Sequence, residues 1–183
     1  MTFPKEFKEA ISHISSKEKD KLILRLLKKD LKLANRLMFE LISDESVEER
    51  RDMLLLRIKE KAKRTHDKFY SIGWLNMDVR ELSGEINEHV AITKDKFGEI
   101  LLNLTMINSV LEANNETISH LRYVVKTRKF CTAVISRAFK ILILISKTHE
   151  DLWLEFEDEL KRFGMLIANN KHLKQTAKKH GLD

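Results

Sequence analysis

The sequence has little of the three residues that interrupt or cross-link a chain. Its 183 residues include one proline, five glycines and one cysteine. Pro4 stands close to the first residue, where it breaks no helix. Few Pro and Gly beside abundant Leu, Lys, Glu, Ile and Arg are typical of a helical protein. The lone Cys131 excludes an intrachain disulfide and favours a reducing compartment.

Long apolar runs are also missing. The most apolar stretch, 130–145, contains Arg137 and Lys140 and is too short to span a bilayer. The first residues, MTFPKEFKEAI, lack the apolar core of a signal peptide. We therefore expect a cytoplasmic protein that has no membrane partner. A hydrophobic content of 43% is enough for the core of one folded domain.

The most informative absence is that of acidic residues between 117 and 149. This segment has seven Lys or Arg and no Asp or Glu. If it forms one helix, six of the seven fall within an arc of about 80°, opposite the apolar side. We call these six the basic stripe: Arg122, Lys126, Lys129, Arg137, Lys140 and Lys147.

The preceding segment has the opposite charge. Residues 71–120 contain three Lys or Arg and eight Asp or Glu. Six of these acids share one helical phase, and we call them the acidic stripe: Asp78, Glu81, Glu85, Glu88, Asp95 and Glu99. The charge is thus divided between neighbouring segments, which favours an electrostatic role for these surfaces.

Helical periodicity predicts an all-α fold with four long helices at about 46–72, 78–112, 115–147 and 149–168. Ser46 and Glu49 form a capping box that opens the first helix. One apolar phase continues through the polar residues 93–96, which predicts an unbroken second helix. Asn114-Asn115 is a turn signal between the second and third. Helices joined by such short turns run antiparallel, which predicts an up-down bundle.

Shorter helices flank this bundle. We expect three at about 5–14, 16–29 and 31–42 within an N-terminal subregion, 1–43, packed on the bundle. The bundle region is 44–170, and a C-terminal tail, 171–183, carries a short helix that closes at Gly181. The whole chain, 1–183, is predicted to be a single all-helical domain. An irregular α-solenoid is the alternative, although no repeat of 33–47 residues supports it.

The basic stripe allows three interpretations. It is a solvated face, or it binds an acidic protein or the acidic stripe of a second copy, or it follows a nucleic-acid backbone. No aromatic side chain lies in the stripe to stack on bases, and no helix-turn-helix, zinc-finger or RNA-recognition signature is found. We expect a non-enzymatic interaction or scaffold domain with an acidic partner or itself, and sequence-nonspecific nucleic-acid binding as the alternative.

Catalytic chemistry has weaker support. Glu85 and His89, and likewise Glu116 and His120, are four residues apart, so each pair shares a helix face. A metal-dependent bundle enzyme would place such ligands in its core, but the usual Glu-x-x-His spacing is one residue shorter. No Gly-rich phosphate loop or Gly-x-Ser-x-Gly motif occurs. We predict no catalytic residues, metal, cofactor or small-molecule substrate. Trp74 is expected in the core, with an exposed partner patch as the alternative.

Overall fold

A computed structural model describes residues 2–182, and all the regular structure within them is helical. The predicted all-α class is confirmed. The helices are α1 Lys5–His13, α2 Ser16–Leu27, α3 Leu31–Ile42, α4 Val47–Asp67, α5 Ile72–Thr93, α6 Lys96–His120, α7 Val125–Ile145, α8 Leu154–Ala168 and α9 Lys171–Lys179.

The chain divides into two compact units, residues 1–44 and residues 45–183. The first unit holds α1 to α3, and the bounds of these helices agree closely with those of the three predicted short helices. Asp30 caps α3 by accepting a hydrogen bond from the Leu33 amide at 3.0 Å, which explains the predicted break at this residue. No residue of 2–44 is buried.

The second unit is organised around α6. Every residue from Leu102 to Asn108 is buried, because α4, α5, α7, α8 and α9 all pack against this helix. A helix that is covered on all sides cannot show a single apolar stripe. Leu104 of α6 and Leu82 and Ile86 of α5 are fully buried, and truncating such a side chain to Ala costs about 2–5 kcal/mol.

The predicted unbroken helix at 78–112 is wrong, because α5 starts earlier, at Ile72, and the helix is interrupted between Thr93 and Lys96. Ser71 accepts a hydrogen bond from the Trp74 amide and starts α5 at Ile72, so the expected break at 73–76 lies inside a helix. The helix then stops at Thr93, because Lys94 adopts a left-handed conformation with φ of 59°. This conformation is uncommon outside glycine and reverses the chain.

Asp95 explains the reversal. Its Oδ1 accepts a hydrogen bond from the Gly98 amide at 2.8 Å and so caps α6. Its Oδ2 accepts from Nε of Arg51 on α4 at 2.6 Å and lies 3.2 Å from Nε2 of His89 on α5. The cap therefore joins three helices. Local hydrophobic periodicity could not predict these contacts, because they depend on residues of other helices.

The predicted turn at Asn114-Asn115 is also wrong. Asn114 is buried within α6, where its amide donates to Thr65 Oγ1 at 2.8 Å and to the Val110 carbonyl at 3.0 Å. The break falls later, at 121–124, so 115–147 is not one helix. In the observed packing of α6 against α7, Glu99 pairs with Lys140.

The C-terminal region follows the prediction more closely. A 3-10 turn at Glu150–Leu152 precedes α8, and Asn170 caps α9 through the amides of His172 and Leu173 at 3.1 Å each. Gly181 ends the tail with φ of 75°. Within the described residues, 45–182 thus hold six helices, so the predicted four-helix arrangement needs correction.

Candidate polyanion-binding surface

Four residues of the basic stripe, Lys126, Lys129, Arg137 and Lys140, lie on α7, whereas Arg122 and Lys147 lie outside this helix. Arg122 lies in the connection before α7, whereas Lys126 and Lys129 lie in its first turns. Lys147 follows the last residue of α7, at the opposite end of that helix. The predicted helix 115–147 is therefore wrong, because it is interrupted at 121–124 and resumes as α7 at Val125.

Arg137 and Lys140 are occupied by contacts within the chain. The Arg137 guanidinium points inward and donates to Asn103 Oδ1 and Ser83 Oγ, each at 2.7 Å. Burial lowers the pKa of Arg137. The Lys140 ammonium lies 2.9 Å from Glu99. Neither cation is free to receive a partner without breaking these contacts.

The acidic stripe is largely neutralised as well. On α5, Glu81 pairs with Lys61, and Glu85 pairs with both Lys61 and Arg57 of α4. Asp95 and Glu99 are held by Arg51 and Lys140. A second copy of the chain that approached this stripe would have to displace intramolecular ion pairs. The structure therefore does not favour a dimer in which the basic stripe of one copy binds the acidic stripe of the other.

One end of the second unit collects several helix termini. Asn170, before α9, donates to the Asn115 carbonyl at 3.1 Å, and Nε2 of His172 lies 2.8 Å from the Leu121 carbonyl. The bond from Asn114 to Thr65 brings the last turns of α4 to the same place. Consequently α4, α6 and α8 finish, and α5, α7 and α9 begin, at this end of the unit.

Tyr123 fixes α9 against the start of α7. Its hydroxyl lies 3.0 Å from Thr176 Oγ1, and its ring stacks on His172 with centroids 5.0 Å apart. The ammonium of Lys179 lies 6.0 Å from the Tyr123 ring centroid, within range of a cation–π interaction. These contacts bring two basic segments of the sequence together.

We call the resulting cluster of cations the basic end. Its members are exposed, and no carboxylate pairs with any of them within residues 2–182. They come from 117–149 and 169–182, neither of which contains an acidic residue. The basic end comprises Arg122, Lys126, Arg128, Lys129, Lys171, Lys174, Lys178 and Lys179.

Sequence reasoning missed the half contributed by α9. Lys171, Lys174 and Lys178 fall within an arc of about 60° on one side of a helix, and the buried side carries His172, Leu173, Thr176 and Ala177. The signal that could have found them is the second acid-free run, 169–182. The contact of this run with α7 was not visible in the sequence.

The structure does not bring the two Glu–His pairs together, since His89 lies near the end of α5 and His120 at the end of α6. His89 is buried against Asp95, whereas His120 is exposed and its Nδ1 lies 2.8 Å from the Glu116 carbonyl. Across the part of the chain that the structure describes, no three His, Cys, Asp or Glu side chains are grouped to hold a metal ion. Burial raises the pKa of Cys131 to about 11, which leaves little thiolate at neutral pH.

Comparisons with protein-family models, curated proteins and solved structures yield no match. None of the helices within residues 2–182 has the length and apolar character needed to cross a membrane.

Proposed function

We propose that this protein is a non-enzymatic nucleic-acid-binding protein that holds the phosphate backbone at its basic end. The observation that carries the proposal is the meeting of two acid-free segments, which gathers eight exposed cations without a carboxylate partner among the described residues. Such a patch raises the local concentration of a polyanion and releases its counterions on binding.

The start of α7 adds donors of the right kind. Val124 stands at the N-cap position, and no side chain caps the helix there. The first amides of a helix are unsatisfied within the helix, and the helix dipole favours an anion at this end. A phosphate next to Lys126 and Lys129 would receive both charge and backbone hydrogen bonds.

An acidic protein surface is the second candidate, and one observation favours it. Val124 and Val125 are 53% and 55% exposed between Arg122 and Lys126. An apolar centre with a charged rim is typical of protein interfaces. A pull-down from cell extract, carried out with and without nuclease, distinguishes nucleic acid from an acidic protein as the ligand. Partners that are held through nucleic acid are lost on digestion, whereas a directly bound acidic protein is retained.

The direct test is the salt dependence of DNA binding, measured by fluorescence anisotropy with a labelled duplex. The logarithm of affinity should fall with the logarithm of salt at a slope of about −0.9 for each phosphate that is neutralised. The triple variant Lys126→Glu, Lys129→Glu, Lys174→Glu should flatten this slope by about 3 and weaken binding about 100-fold.

The matched control is Lys17→Glu, Lys21→Glu, Lys28→Glu, which makes the same charge change at exposed residues of the first unit. Its affinity should stay within about threefold of the parent protein if contacts at the basic end dominate. No binding of the parent protein at low salt would refute the proposal, and so would equal losses in the two variants.

A further inference from the structure

A groove of about 560 Å³ lies between the second half of α4 and the first turns of α5. Its lining includes the aromatic side chains of Tyr70 and Trp74 and the cations Arg64 and Lys68. Because α4 ends and α5 begins where α7 and α9 begin, the groove opens at the same end of the second unit as the basic end.

The two aromatic side chains are far more exposed than such residues usually are. Tyr70 is 80% exposed and Trp74 is 56% exposed, with ring centroids 5.9 Å apart in an edge-to-face arrangement. The expectation that Trp74 fills the core is wrong, because α5 buries Ile72 and Leu75 instead. Exposed aromatic surface of this kind marks a binding site more often than it serves the fold.

The cations of the groove differ in how firmly they are held. Arg57 and Lys61 are committed to Glu85 and Glu81. Arg64 has only a 4.0 Å contact with Glu60, and both side chains of that pair are more than two-thirds exposed. Such a contact is worth little in water. Arg64 is therefore available to a phosphate at the rim.

Lys68 follows α4 and is exposed beside Tyr70. No ion pair of Lys68 is found within residues 2–182. Asp78 also lines the groove, and burial raises the pKa of its carboxyl. A carboxylate repels phosphate, so phosphates are favoured at the rim with Arg64 and Lys68, and an uncharged planar group is favoured against the rings.

We propose that this groove stacks an unpaired nucleobase on Trp74 and Tyr70 while Arg64 and Lys68 hold the adjoining phosphates. The inference rests on the proposed function and makes it more specific, since it names single-stranded nucleic acid as the ligand. Stacking on an aromatic face tolerates any base and needs a strand whose bases are not already paired. The strand continues from the groove to the basic end, which binds backbone alone.

The test compares an oligothymidylate of about 20 nucleotides with an abasic strand that has the same number of phosphates. Trp74 is one of two tryptophans, so a Trp153→Phe background leaves it as the sole indole reporter. Oligothymidylate should quench the Trp74 fluorescence and bind about tenfold tighter than the abasic strand. Circular dichroism and thermal melting check that the background variant is folded.

Trp74→Ala, made in the native background, should abolish the preference for the base-bearing strand and leave binding of the abasic strand unchanged. Trp74→Phe keeps a stacking surface and should retain most of the preference. If neither strand binds the parent protein, the proposed function fails. If both bind with equal affinity and without quenching, the stacking groove is refuted while backbone binding at the basic end stands.

Discussion

Gly98 of α6 and Gly84 of α5 differ in the space available for a side chain. A Cβ on Gly98 would lie 2.0 Å from Asp95 Oδ2 and 2.9 Å from Arg51 Nε. The Asp95 carboxylate cannot move aside easily, because Arg51 and the Gly98 amide hold its two oxygens. A Cβ on Gly84 would meet nothing within 4 Å. Gly98 is buried, whereas Gly84 is exposed.

Gly98→Ala should therefore lower the free energy of unfolding by about 1–3 kcal/mol, although Ala is the better helix former. Gly84→Ala should raise it by about 0.5–1 kcal/mol, because it only removes the flexibility of a glycine in an exposed helix. Urea denaturation of both variants beside the parent protein measures the two changes. Equal effects of the same sign would show that the Asp95 cap is not rigid.

Because of Asp95, the free energy of unfolding is expected to depend on pH in the acid range. Burial by itself would raise the pKa of Asp95, but hydrogen bonds from His89, Arg51 and the Gly98 amide lower it from 3.8 to about 2. The folded state thus binds this proton less readily than the unfolded state does. The resulting stabilisation is complete above about pH 4 and is lost as the pH falls towards 2.

Asp95→Asn should remove this dependence. The parent protein should lose on the order of 2 kcal/mol of unfolding free energy through Asp95 between pH 5 and pH 2. The variant should be less stable than the parent at pH 5, and the difference should shrink towards pH 2. Urea denaturation across this range measures both curves. A difference that does not change with pH would mean that the Asp95 carboxyl has an ordinary pKa.

Among the helices, α9 depends most on a single side chain. Asn170 is fully buried, caps α9 with its oxygen and donates from its amide to Asn115 on α6. Asn170→Ala should lower the free energy of unfolding by about 2–3 kcal/mol, since it removes a cap and leaves buried partners unsatisfied. Hydrogen exchange should accelerate in α9, and DNA affinity should fall with it.

Ser46→Ala is the matched control for this prediction. It removes the cap of α4, which is exposed and lies away from the basic end. The loss should be about 1 kcal/mol with no change in α9 exchange or DNA affinity. Unchanged exchange in α9 of the Asn170→Ala variant would show that other contacts suffice to dock this helix.

Helices whose ends are set by local signals could be predicted, and those set by distant partners could not. The capping box of Ser46 and Glu49 is present as expected, and the break at Asn169-Asn170 is correct. The apolar phase across 93–96 hid a reversal that depends on Arg51, which is 44 residues away from Asp95. Asn114 resembles a turn residue, but Thr65 of α4 holds it inside a helix.

The candidate surface was likewise only partly predictable from the sequence. The acid-free run identified a basic region, and Arg122, Lys126 and Lys129 lie in the basic end. Periodicity could not reveal that Arg137 turns inward to Asn103 and Ser83, since this depends on packing between helices. Nor could it reveal that α9 lies beside the start of α7, which only the contacts of Tyr123 and His172 establish.

In the second unit, paired and unpaired charges occupy different places. Ion pairs with Arg51, Arg57, Lys61 and Lys140 neutralise four of the six carboxylates of the acidic stripe. Among residues 2–182, cations without a carboxylate partner remain where α7 and α9 begin. The net charge of +6 therefore understates the local field at the basic end.

Amide chemical-shift mapping of the intact chain with a short DNA tests this account most directly. With a duplex, whose paired bases do not enter the groove, perturbations confined to 122–129 and 171–179 are the predicted result, because the cations of the basic end lie in these segments, whereas Arg137 and Lys140 are held by contacts within the chain. Perturbations that run along α7 through Lys140 to Lys147, or that spare α9, would contradict it.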